Sequence, residues 1–205
     1  MRTTTLQVTA AGIPLRDLHL ERLGIPLHPG REAFDRFAAL AVPGVYRLVL
    51  DGDRLQVTPR GPSSLRDGMP VRLRPSPCAW MRGRFPKPLS PGPYDDVRSR
   101  GVATLLTTCD GDELLESCTA ALLGWDGAAF VHPPDDRPRV WSTAEEAVRR
   151  HLPVRAAPLS SRGALPLLLV NAVAGPCPLA LPDRPAVPAE PIARIHALFA
   201  LLTVR

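Results

Sequence analysis

Apolar and polar positions alternate from Thr3 to Thr9, which predicts a strand at the very start of the chain. Ala11-Gly12 reads as a turn. Pro14 to Leu23 then predicts a helix with Pro in its first turn, Leu15, Leu18 and Leu23 at helical spacing, and Gly24 to end it. A second helix is expected over Pro29–Ala41, where Phe34, Phe37, Ala38 and Ala41 share a face. Val45–Leu50 and Arg54–Thr58 alternate on either side of Asp51-Gly52-Asp53, a hairpin signal. Met69–Leu73 reads as a further strand. Beyond it, a short helix is expected at Asp95–Arg100 and strands at Val102–Thr108, Glu113–Glu116, Ala120–Trp125 and Ala128–Val131. Thr143–Leu152 has an acidic start and a basic end, which suits a helix dipole. Val154–Ala157 and Leu165–Val170 predict strands, the second fully buried, and Pro188–Val204 a closing amphipathic helix.

The order of these elements predicts an α+β or α/β protein in two modules. The expected division is 1–80, a small α+β domain, and 81–205, a larger mixed α/β domain. Six prolines between positions 75 and 93 mark the connection. A chain of 205 residues is long enough to bury a substantial core.

Composition narrows the function. The net charge is +5, but the arginines are scattered and aromatic residues make up 5%, so no nucleic-acid surface is expected. A weak positive excess suits a small anionic substrate. The longest apolar run, Ala164–Ala174, is interrupted by Pro166 and Asn171 and is too short for a membrane span. Cys78, Cys109, Cys118 and Cys177 are far apart, without a Cys-x-x-Cys pair, so no metal site is expected. With no signal peptide at Met1, free thiols in the cytoplasm are the expectation.

One residue stands out chemically. Of the 25 basic residues, Lys87 is the only lysine and the rest are arginines. Arg replaces Lys readily as surface charge, but it cannot serve as a neutral amine. A primary amine that condenses with a carbonyl must be Lys, so Lys87 is a candidate catalytic residue.

Four segments in order resemble the class IV aminotransferases, the fold-type IV pyridoxal-phosphate enzymes that include aminodeoxychorismate lyases and branched-chain and D-amino-acid aminotransferases. The first is TLQVTAAGIPLRDLHLERL, whose His19-Leu20-Glu21-Arg22-Leu23 is similar to the family's His-x-x-Arg-Leu. The second is FPKPL around Lys87. The third is DGDELLESCTAALLGWDG, which contains Glu116. The fourth is RVWSTAEEAVRRHL with ALPLLLVNAVAGPCPL, which contain Ser142, Thr143, Asn171 and Ala172. Departures are visible: Pro86 stands where the family commonly has His, Ala121 where it has Asn, and the family's opening Asp-Arg-Gly segment has no counterpart.

The resemblance implies a two-domain fold like that of D-amino-acid aminotransferase, with pyridoxal 5′-phosphate as cofactor. It implies Lys87 as the Schiff-base lysine and Arg22 as a phosphate ligand. Glu116 would be the partner of the pyridinium nitrogen. Ser142, Thr143, Asn171 and Ala172 would make further phosphate or substrate contacts. It also implies a homodimer that takes an amino-acid-like substrate. Elimination of the aminodeoxychorismate lyase kind is the first expectation, on the TTTLQV opening and the VNAV turn. Amino transfer to a 2-oxo acid is the second. A degenerate, non-catalytic binding protein is the third.

Overall fold

The computed structural model describes residues 1–25, 30–87, 92–97 and 101–204. Its first part comprises β1 (Arg2–Val8), β2 (Ile13–Pro14), α1 (Arg16–Leu23), α2 (Gly30–Leu40), β3 (Gly44–Asp51) and β4 (Arg54–Arg60). Strands β1, β3 and β4 form an antiparallel sheet in the order β1-β3-β4, and Asp51 pairs with Arg54 across the expected hairpin.

The register makes this sheet two-faced. Leu6, Leu48 and Leu50 point to one side and pack with Leu20, Leu23 and Phe34 from the two helices. Thr5 pairs with Arg47, and Val45 with Arg60. These four lie on the opposite side, because successive residues of a strand alternate between faces.

The remainder comprises β5 (Val71–Pro75), β6 (Arg84–Phe85), α3 (Pro93–Val97), β7 (Ala103–Thr107), β8 (Glu113–Ser117), β9 (Ala121–Trp125) and β10 (Phe130–His132). It continues through β11 (Arg139–Val140), α4 (Thr143–His151), β12 (Val154–Ala156), β13 (Leu159–Ser160), β14 (Leu167–Asn171), β15 (Gly175–Pro178), α5 (Ala189–Leu201) and β16 (Thr203–Val204). A nine-stranded sheet runs β12-β10-β9-β8-β7-β5, with β13 on β8 and the β14–β15 hairpin on β9. Strand β5 is parallel to β7 and so belongs to this larger sheet. Among the described residues, no helix is long and apolar enough to cross a membrane.

Helix α1 joins the two cores. Leu15 and Leu18 pack with Ala144, Ala147 and Val148 of α4, whereas Leu20 and Leu23 pack against the three-stranded sheet. His19 and Arg22 are three residues apart and so share a face. They lie in the arc between the two apolar sets, where a helix this buried would ordinarily carry more leucine.

Several elements differ from the sequence expectation. Helix α1 begins at Arg16, because Ile13 and Pro14 pair with Val204 and Thr203. The same pairing ends α5 at Leu201 and turns the last expected helical turn into β16. The expected linker contains β6, and α3 begins at its last proline, Pro93. Helix α3 starts at Pro93, two residues before the expected Asp95, and the end expected for it, 98–100, lies outside the described residues.

Candidate active site

Two short strands do the main positioning. β6 runs parallel to β11, with Arg84 opposite Arg139 and Phe85 opposite Val140. The Trp141 N–H then donates to the Phe85 carbonyl at 2.9 Å. Parallel strands leave a sheet at the same end, so the two chains continue side by side. Lys87 follows Phe85 by two residues, as Ser142 follows Val140. The lone lysine is thus delivered to the start of α4.

Ser142 is the N-cap of α4, and its hydroxyl accepts from the Glu145 N–H at 3.3 Å. The Glu146 N–H goes to the Ser142 carbonyl. Capping therefore occupies the third and fourth N–H groups and leaves those of Thr143 and Ala144 at the helix mouth. A helix start with free N–H groups attracts anions.

Arg22 faces this mouth from α1. Its guanidinium carbon sits 5.9 Å from the centre of the Trp141 ring. Its Nη2 is buried and has no hydrogen-bond partner among the described residues. Burial lowers the guanidinium to about 10, against the pull of the Glu116 charge. An enclosed donor without an acceptor is costly, and an oxyanion would satisfy it.

Behind Arg22 lies His19, fully buried, with Nδ1 at 2.7 Å from the Thr4 hydroxyl. Burial drives its imidazole down to about 3, helped by the positive charges of Arg22 and Lys87. His19 is therefore neutral at physiological pH, and it adds no charge to a site that already collects two cations.

Glu116 stands on β8. The pairing with β7 slips there: Leu106 faces Glu116 but Thr107 faces Leu114, so Leu115 is a bulge residue. A bulge re-aims the neighbouring side chain. Glu116 is buried, and Oε1 accepts from the Tyr94 hydroxyl at 2.7 Å and from the Val140 N–H at 3.0 Å. Burial raises this carboxyl to about 7, while both hydrogen bonds and the Arg139 charge hold it down. Burial, together with that carboxylate, keeps the Tyr94 phenol protonated far beyond its usual range.

All seven residues singled out from the sequence line one cavity of about 240 Å³: Arg22, Lys87, Glu116, Ser142, Thr143, Asn171 and Ala172. Lys87 is half-buried in its wall. The side chain of Asn171 is already committed. Its Oδ1 accepts from the N–H groups of Val173 and Ala174, and its Nδ2 donates to the Thr119 carbonyl. Asn171 thus shapes the β14–β15 turn and ties it to the β8–β9 turn, leaving Ala172 on the cavity wall.

Three contributors were missed in the sequence. Tyr94 lies just before the segment expected to be helical. Arg47 and Arg60 line the cavity from the polar face of the small sheet, and alternation across the hairpin could have revealed that shared face. Among the described residues, no group of His, Cys, Asp or Glu could hold a metal ion.

The donor set fits pyridoxal phosphate. An enclosed guanidinium with a partnerless Nη2 and a helix start suit a phosphate, a primary amine suits an aldehyde, and a buried carboxyl suits a ring nitrogen.

No protein-family model matches the chain, and no curated protein matches it in sequence. Solved structures do match the fold. A hypothetical aminotransferase from Mycobacterium tuberculosis, in its apo form, superposes with a TM-score of 0.71 at 20% identity. The match covers 98% of this chain and 89% of that one. That protein was also solved in a PLP-bound form. The 4-amino-4-deoxychorismate lyase from Pseudomonas aeruginosa gives a TM-score of 0.64 at 17% identity, covering 96% of this chain and 88% of that one. A fold IV transaminase from Curtobacterium pusillum gives 0.65 at 19% identity, covering 97% and 83%. The chain has the fold shared by these proteins.

Proposed function

We propose that this protein is a pyridoxal-phosphate enzyme acting on a small, anionic, amino-acid-like substrate. One observation carries the reading: the lone lysine opens into the same cavity as a buried, partnerless Arg22 Nη2 and the carboxyl of Glu116. When bound, the cofactor supplies an aldehyde for primary amines and a ring that accepts the electron pair released at the reacting carbon.

The chain's own residues divide the remaining work. Arg22 and the Thr143 and Ala144 N–H groups would hold the phosphate, with the Ser142 hydroxyl beside them. Glu116 would face the ring nitrogen and keep it protonated. A carboxyl with its affinity raised to about 7 shares a proton with a pyridine more evenly than an exposed one would. Lys87, as a neutral amine, would take the proton from the reacting carbon of the substrate and return it after bond cleavage.

Within this chemistry, elimination of pyruvate from an amino-chorismate-type substrate is the leading reaction, favoured by the Asn171-Ala172-Val173 turn. Amino transfer is the second reading, favoured by the transaminase fold neighbours. The deciding assay supplies an aminated chorismate without any 2-oxo acid. Pyruvate release supports elimination. Failure to release pyruvate there, with amino-group transfer in a second assay that supplies an amino acid and 2-oxoglutarate, supports transfer. Absence of both, with no cofactor bound, supports the non-catalytic reading. The same resemblance proposes a cytoplasmic homodimer, testable by light scattering.

A further inference from the structure

Three of the cavity's groups depend on a strand of two residues. In β11, the Val140 N–H donates to Glu116 Oε1 at 3.0 Å. The next N–H, of Trp141, donates to the Phe85 carbonyl at 2.9 Å, two residues before Lys87. Ser142 then caps α4. A displacement of β11 would therefore move the donor on Glu116, the approach of Lys87 and the helix mouth together. Its ladder resists little, because β6, the strand it pairs with, is also two residues long.

Side chains supply what the ladder lacks. Arg84 and Arg139 stand opposite each other across the two strands. They reach consecutive glutamates in the first turn of α4. Arg84 Nη2 donates to Glu146 Oε2 at 3.2 Å, and Arg139 Nη1 donates to Glu145 Oε2 at 2.5 Å. Arg139 is the more enclosed, with its side chain 2% exposed against 15% for Arg84. Its Nη2 also donates to Asp135 Oδ1 at 2.8 Å, in the loop between β10 and β11, and lies 3.1 Å from His132 Nδ1 at the end of β10. One guanidinium thus ties β11 to α4, to β10 and to the loop between the strands. A buried ion pair adds little net stability over apolar side chains of similar size. It adds direction, because a guanidinium fork meets a carboxylate in a narrow range of geometries. Arg139 stands behind the cavity wall, one residue from Val140, which lines it.

We propose that Arg139, clamped by Glu145, is a positioning residue that holds the Val140 N–H on Glu116 and the Phe85–Lys87 segment at the mouth of α4. The inference rests on the pyridoxal-phosphate reading for what Glu116 and Lys87 do, but the positioning itself is a property of the cofactor-free chain. Two effects reach Glu116 from this clamp. One is mechanical, through Val140. The other is electrostatic: the Arg139 charge favours the ionised carboxyl and the Glu145 charge opposes it, the first more than the second. Arg22, Tyr94 and Cys78 also interact with Glu116, and the test leaves them in place.

The test follows Glu116 by infrared titration of cofactor-free protein in wild type, Glu145→Gln and the double variant Arg139→Met/Glu145→Leu. Thermal melts show which of them are folded. In the double variant both effects act in one direction, so the midpoint should rise from about 7 by about half a pH unit or more. In Glu145→Gln the bond to Arg139 survives and only the opposing charge goes, so the midpoint should fall by about as much. Pyridoxal-phosphate affinity, read by absorbance, should drop about tenfold in the double variant and less than about threefold in Glu145→Gln. A folded double variant that keeps either the wild-type midpoint or the wild-type affinity overturns the proposal. A midpoint that rises or stays in Glu145→Gln also overturns it, because general loosening weakens the bonds to Glu116 and cannot lower its midpoint. That arm decides alone if the double variant does not fold. The expected midpoints in a protein that binds no pyridoxal phosphate would instead overturn the cofactor reading and leave the positioning role standing.

Discussion

The Tyr94 hydroxyl donates to Glu116 Oε1 at 2.7 Å inside the protein, where the only other donor to that oxygen among the described residues is the Val140 N–H. The phenol therefore helps decide whether Glu116 is charged. Tyr94→Phe removes one bond to the ionised form, so the Glu116 titration should move upward from about 7. Infrared titration of the carboxyl band in cofactor-free protein measures it. Cofactor affinity should fall about tenfold as the carboxylate loses its orientation. A midpoint unmoved by the substitution would remove Tyr94 from the account.

Arg22 pits binding against folding. Its buried cation is disfavoured by desolvation, which is why its affinity for a proton is lowered. Arg22→Met should leave the cofactor-free fold as stable as wild type or more so. The same change should weaken pyridoxal-phosphate binding by about 100-fold, the scale of a lost charge-assisted pair. Thermal melts and absorbance titrations of one preparation give both numbers.

Beneath the start of α4, Arg139 pairs with Glu145 at 2.5 Å, and both are almost completely buried. Removing one partner strands the other. Arg139→Met should cost about 3–5 kcal/mol, and adding Glu145→Leu should recover most of it. Urea unfolding of the two variants decides this.

Stability should respond to pH through two buried groups of opposite sense. The His19 imidazole falls from 6.5 to about 3 on folding, so the unfolded chain binds more protons between those values and stability rises with pH there. The Glu116 carboxyl rises from 4.5 to about 7, so the folded chain binds more protons and stability falls with pH across that window. The two slopes oppose each other between about 4.5 and 6.5. Their sum leaves a plateau there, with a steep loss from 4.5 down to 3. In His19→Gln the acid loss should shrink, and stability should decline steadily from 4.5 to 7. Melting temperatures across this range test the signs.

Much of the small sheet and its helices was legible, because Thr3–Thr9 alternates and Asp51-Gly52-Asp53 marks the hairpin. Arg22 was legible through the His-x-x-Arg-Leu pattern that it shares with the class IV aminotransferases. Lys87 was legible by its rarity. The two-residue strands β6 and β11 were not, since two residues carry no periodicity, yet their parallel pairing brings Lys87 to α4. The split of the last expected helix was equally hidden, because Thr203 and Val204 find their partners in Ile13 and Pro14. Tyr94 was missed because its role depends on meeting Glu116, 22 residues away. The committed side chain of Asn171 likewise became visible only once the Thr119 carbonyl was beside it.

The central claim is that Lys87 holds a carbonyl cofactor between Arg22 and Glu116. Since Lys87 is the only lysine in the chain, borohydride reduction after adding pyridoxal phosphate is an unusually direct test. Wild type should gain one covalent pyridoxyl group, mapped by mass spectrometry to the peptide that contains Lys87. Lys87→Ala should gain none there and lose the visible absorption band. A wild-type protein that traps no cofactor, or that traps as much at its amino terminus as Lys87→Ala does and nothing at Lys87, would contradict the account.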